Sequence, residues 1–177
     1  MIPSFLNLPR VALALLLGVT AVNVSAADTS AADKRKMLSK HETVAQFVGV
    51  TYHKCLGRTS ACPDKCGSSG DMATFRILKY LAYEKPDQYG DKQQKQFQFL
   101  VADNLKNVKV SAEVKATIDS LKPDDYVRLD WQHDYVTKGG SSSPERTVTQ
   151  LKCITCEEAD QLTGGLDNLP KADASSK

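Results

Sequence analysis

From residue 126 to residue 136 the chain alternates without interruption. Val127, Leu129, Trp131, His133 and Tyr135 fall on one side, and Arg128, Asp130, Gln132 and Asp134 on the other. Successive side chains of an extended strand point to opposite faces. A period of two therefore dictates a half-buried strand here and excludes an amphipathic helix. The charged side, with its acidic pair Asp130 and Asp134, is expected to face solvent.

A lone strand cannot bury its apolar side, and the rest of the chain supplies partners. Residues 44–54 are β-branched and aromatic and read as a first strand, with Gly49 marking a bend or bulge. Residues 72–84 read as a second strand whose period slips near Leu78, again fitting a bulge. Pro86 and Gly90 punctuate a turn, and residues 96–102 alternate as a third strand. The period then changes. Val110, Val114, Ile118 and Leu121 recur at helical spacing, so residues 111–121 are expected to form a short amphipathic helix capped by Ser111. Pro123 ends it. Beyond the alternating strand, residues 138–145 read as a flexible hairpin loop and residues 146–155 as a fifth strand.

Three strands, a helix and two more strands make an all-β chain with one short helix. That order over residues 44–155, together with the turn that feeds the strand across residues 121–131, resembles the OB-fold, a five-stranded Greek-key β-barrel. The alternative is an α+β sheet with the helix on one face. The resemblance implies a binding surface made by strands two and three and by two long connectors, residues 56–71 and residues 138–145, both expected at one end of the barrel. His53, His133, Trp131 and Tyr135 are then the candidates to touch a ligand or protein partner at that mouth, whose identity the fold does not supply. The aromatics Phe75, Tyr80, Tyr83, Phe97 and Phe99 are expected to be core rather than a stacking platform for bases.

The N-terminal residues suggest export. Arg10 precedes a short apolar run, and the small residues Val24, Ser25 and Ala26 provide a cleavage site. Residues 1–26 are thus read as a signal peptide, 27–42 as a polar linker, 43–156 as the OB-fold-like domain and 157–177 as a disordered tail. An exported chain is periplasmic or extracellular. No later segment is apolar and long enough to span a bilayer. The net charge of +2 and pI of about 8.2 leave no basic patch of the kind nucleic acid requires.

Five cysteines remain to be placed. In an exported protein clustered cysteines ordinarily pair, so Cys55, Cys62, Cys66, Cys153 and Cys156 are disulfide candidates, with at least one bridge bracing the connector at residues 56–71. Their odd number leaves one over. The competing reading is a Zn or Cu site built from His53, Cys55, Cys62 and Cys66, one imidazole and three thiolates. Cys153 and Cys156 form a CxxC, but at the end of a strand and ahead of Glu157 and Glu158, which is unlike a redox dithiol at a helix N-terminus. His41 opens a HETVA stretch without the second histidine of a zincin. No nucleophile, base and oxyanion donor assemble anywhere, so the chain reads as a non-catalytic binding or structural module that requires no cofactor.

Overall fold

The computed structural model describes residues 34–57 and 60–166. The segment expected to be a signal peptide lies outside them, as does the end of the tail. The order is β1 (Lys34–His53), β2 (Gly70–Glu84), β3 (Gln96–Asp103), α1 (Ala112–Ser120), β4 (Tyr126–Lys138), β5 (Ser141–Cys153) and α2 (Cys156–Thr163). The strands form one antiparallel sheet in the order β3-β2-β1-β4-β5. It curls into a half-barrel with β3 and β5 as its edges. The all-β barrel-like fold is as expected, but the wall is open where a closed barrel was anticipated.

The curl follows from the central strand. β1 pairs with β4 from Lys34 to Gln46 and with β2 from Lys40 to His53. Its middle residues therefore have a neighbour on each side, and Thr43, Val44, Ala45, Gln46 and Phe47 are all buried. The ladder with β2 shifts register at Val44/Ala45, where Leu78 is the extra residue, and again at Phe47/Gly49. Both bulges sit where the broken alternation puts them, and each increases the local bend.

The concave face is filled by Phe47, Phe75, Phe97, Leu129, Trp131 and Leu151, joined by Val114 and Ile118 of α1. The Ser111 hydroxyl caps α1 by accepting the Val114 N–H. A second apolar cluster covers the outer face, where Val44 and Ile154 meet Ala159 of α2.

Four expectations need correction. First, β1 begins at Lys34, inside the segment read as linker, because β4 offers that segment a ladder up to Thr137. Second, the flexible loop at residues 138–145 is a two-residue turn. Gly139 and Gly140 take φ of +53° and +80°, the left-handed pair that a tight hairpin demands, so pairing runs to Lys138↔Ser141. Third, the tail from residue 157 is helical up to Thr163, with Thr155 capping one end and left-handed Gly164 the other. Fourth, Asp130 and Asp134 are buried rather than solvated. They are matched by Arg128 at 2.8 Å and Arg35 at 2.7 Å.

The connector between β1 and β2 enters β2 through Gly70, which has φ of +152° and lies against β3. A Cβ there would stand 2.1 Å from the carbonyl oxygen of Ala102. Gly70→Ala is expected to destabilise the fold by about 2–3 kcal/mol through strain and overpacking. Urea unfolding checks this: the midpoint should fall with an unchanged denaturant slope. An unaltered midpoint would mean that the two backbones can separate at little cost.

Candidate functional site

The two connectors expected at one mouth lie at opposite ends of β1. His53 pairs with Gly70 at the connector between β1 and β2, whereas Lys34 pairs with Thr137 beside the β4–β5 hairpin. The candidate residues divide accordingly. His133 and Tyr135 are at the hairpin end, exposed His53 is at the other, and Trp131 is fully buried between them. Trp131 is stacked between His41, 4.3 Å away centroid to centroid, and Phe97 at 4.1 Å. It belongs to the core and cannot touch a ligand.

At the hairpin end a cleft of about 540 Å³ opens over β1, β4 and β5, lined by Lys36, Leu38, Tyr89, His133, Tyr135 and Arg146. Alternation puts His133 and Tyr135 on the same side of β4 as Trp131, so the cleft is the open continuation of the core face. Its walls are mainly apolar. Tyr89 and Tyr135 stand exposed in its lining.

The charges around the cleft are matched. Arg146 grips Asp91 with two hydrogen bonds, Nε to Oδ2 at 2.6 Å and its terminal NH2 to Oδ1 at 2.7 Å. Burial tends to raise the Asp91 pKa, but pairing with Arg146 outweighs it and holds the carboxylate below its ordinary range. Lys36 is paired with Asp87 at 2.6 Å.

The imidazoles are less well served. His133 is buried, and neither ring nitrogen makes a hydrogen bond among the described residues. Its Nδ1 stands 3.3 Å from Asp91 Oδ1 without hydrogen-bond geometry. Burial lowers the His133 pKa despite the nearby Asp91 carboxylate. His41, one layer deeper, has Nε2 2.9 Å from Ser39 Oγ, which also accepts the Asp91 N–H. Its pKa is depressed to about 4, chiefly by burial, with Asp91 opposing and His133 and Arg146 adding to the fall.

Sequence reasoning missed His41, Asp91 and Arg146. A strand extended back to Lys34 puts His41 in phase with Thr43, Ala45 and Phe47, all buried, and that phase was the available signal. The approach of Asp91 to Arg146 carries no local signal, because the two are 55 residues apart.

At the opposite end, Cys55, Cys62 and Cys66 converge with their sulfurs within 4.8 Å of one another. The expected disulfides are absent from all five described cysteines. Cys55 and Cys62 have Sγ atoms 3.2 Å apart, against about 2.05 Å for a bond. The hydrogen bond with Cys62, together with burial, pushes the Cys55 thiol up to about 11. His53, expected beside them as a ligand, is not in the cluster.

The loop is held from below. Buried Ser69 accepts the Cys55 N–H at 3.0 Å and donates to the Pro63 carbonyl at 2.8 Å, and Asn104 donates to the Pro63 and Asp64 carbonyls. Cys153 and Cys156 are exposed, the latter as the first residue of α2, so the CxxC does reach a helix N-terminus, contrary to expectation. No helix among the described residues is long and apolar enough to cross a membrane. No family model, no curated protein and no solved structure matches this chain.

Proposed function

We propose that the chain is an exported, non-catalytic binding module whose ligand site is the hairpin-end cleft. One observation carries the reading: His133, buried in the wall of the cleft that Tyr89 and Tyr135 also line, has no hydrogen bond on either ring nitrogen among the described residues. Buried polar groups are ordinarily paired, so an unpaired one bordering a concave, mainly apolar surface supports the reading of that surface as a ligand site. The chemistry selects a small planar or aromatic compound with one hydroxyl. Its ring lies on the tyrosines, and its hydroxyl donates to His133, which stays neutral at pH 7 because burial lowers its pKa.

The test uses 2-naphthol titrated into the mature protein recovered from the exported fraction, with the N-terminus read by sequencing. Saturable binding that shifts the His133 ring resonances is expected, and Tyr135→Ala should weaken it about tenfold, the loss of one aromatic contact worth about 1.4 kcal/mol. Binding that leaves His133 unshifted would remove the cleft from consideration. A chain retained in the cytosol and still beginning at Met1 would remove export.

A further inference from the structure

The cysteine cluster lies at the other end of β1 and shares no residue with the cleft. We propose that Cys55, Cys62 and Cys66 form a three-thiolate site for one soft cation, Cu(I). Three features of the geometry point there.

The first is convergence. Cys55 ends the segment leaving β1, and Cys62 and Cys66 come from the connector, yet all three sulfurs lie within 4.8 Å of one another. Three sulfurs around one ion, each at a bond length of about 2.3 Å, stand roughly 4 Å apart, so adjustments of an ångström or less complete the triangle. A disulfide uses two sulfurs and gives no reason for a third to be held at the same point.

The second is the scaffold. The loop carrying the sulfurs is fixed by hydrogen bonds that do not involve a sulfur–sulfur bond. Ser69 ties the Cys55 amide to the Pro63 carbonyl, Asn104 N donates to the Ser69 carbonyl at 2.8 Å, and Lys65 N donates to Ala61 at 2.8 Å. The Ser68 N–H points at Cys66 Sγ from 3.4 Å, a donor suited to a sulfur that carries negative charge. Ligands held in place by their surroundings bind a metal with less ordering cost.

The third is the donor set. Among the described residues no fourth His, Cys, Asp or Glu joins the cluster, and exposed His53 stands outside it. Soft thiolates suit Zn²⁺ as well as Cu(I), but a structural zinc site is four-coordinate, whereas Cu(I) is satisfied by three ligands. The count of three and the softness of sulfur both favour the monovalent ion.

The experiment titrates Cu(I) into the reduced full chain under anaerobic conditions, in competition with bicinchoninate, and then alkylates the loaded protein. One Cu(I) per chain should be retained, with Cys55, Cys62 and Cys66 protected and Cys153 and Cys156 labelled. Cys66→Ser, which changes a half-buried loop position, should weaken retention roughly a hundredfold, while His53→Ala and the double variant Cys153→Ser/Cys156→Ser should leave it unchanged. The footprint on the unaltered protein decides the matter even if a cysteine variant fails to fold. Loss of all copper to the competitor, protection of Cys153 and Cys156 instead, saturation by Zn²⁺ but not Cu(I), or a Cys55–Cys62 or Cys55–Cys66 disulfide in the protein as exported would each overturn the proposal.

Discussion

Trp131→Ala is expected to destabilise the fold by about 4 kcal/mol, the largest single effect anticipated in this chain. The indole is fully buried and is the largest such side chain. Its two faces are occupied, one by His41 at 4.3 Å and 7° between planes, the other by Phe97 at 4.1 Å and 13°. Alanine therefore leaves a cavity between two flat rings borne on neighbouring and distant strands, and neither can close it without leaving its own strand's register. The buried indole N–H makes no hydrogen bond among the described residues, so its removal returns a little of the loss. Small domains are typically stable by about 5–15 kcal/mol, and the variant should be marginal at 37 °C. Urea unfolding checks this through tyrosine emission and far-UV circular dichroism. A loss below about 1.5 kcal/mol would mean that the barrel interior repacks and that the His41–Trp131–Phe97 stack does not organise it.

Lowering the pH from about 6.5 to 4 should remove about 3 kcal/mol of stability, chiefly through His41. The imidazole is held neutral in the folded chain, with a pKa near 4, but titrates at 6.5 when unfolded. Between those values the unfolded chain binds a proton that the folded chain refuses. Stability is thus fully present above pH 6.5 and falls progressively as the pH drops toward 4. The groups facing His41 act in both directions: Asp91 favours its protonation, whereas His133 and Arg146 oppose it, and burial dominates. His133, also depressed by burial, adds to the slope with the same sign. Asp91, held below its ordinary value against the pull of burial, contributes only under about pH 4, which separates it from the histidines. Melting temperatures measured from pH 7.5 to 4 should show the decline, and His41→Gln should flatten most of it. An equal slope in that variant would assign the acid sensitivity elsewhere.

The two effects share a cause that bears on the cleft. The ring stack fills the interior up to His41, and the next layer outward on β4 is His133, where packing gives way to open space. A ligand at the cleft would touch the last layer of the core directly. Its binding should therefore respond to pH in the window that governs folding.

Much of this architecture could be read from the chain. The strict alternation of residues 126–136, the bulges at Gly49 and Leu78, and the Ser111 cap are local signals, and each was honoured, because period and backbone preference act within a few residues. The Gly139–Gly140 turn and the helix α2 were equally local. Thr155 accepts from the Glu158 N–H and Gly164 ends the helix, but the polar composition of the tail masked both caps. What sequence could not supply was every choice of partner across the sheet. β1 runs on to Lys34 because β4 is there to pair with it, and Asp91 meets Arg146 because the connector between β2 and β3 comes against β5. The same pairing put the cysteine loop and the hairpin at opposite ends of β1, dividing the one expected mouth into two separate candidate sites. Period and caps are properties of neighbours along the chain. Which strand lies beside which, and so which side chains share a cleft, is settled only when the sheet closes its ladders and buries its apolar face.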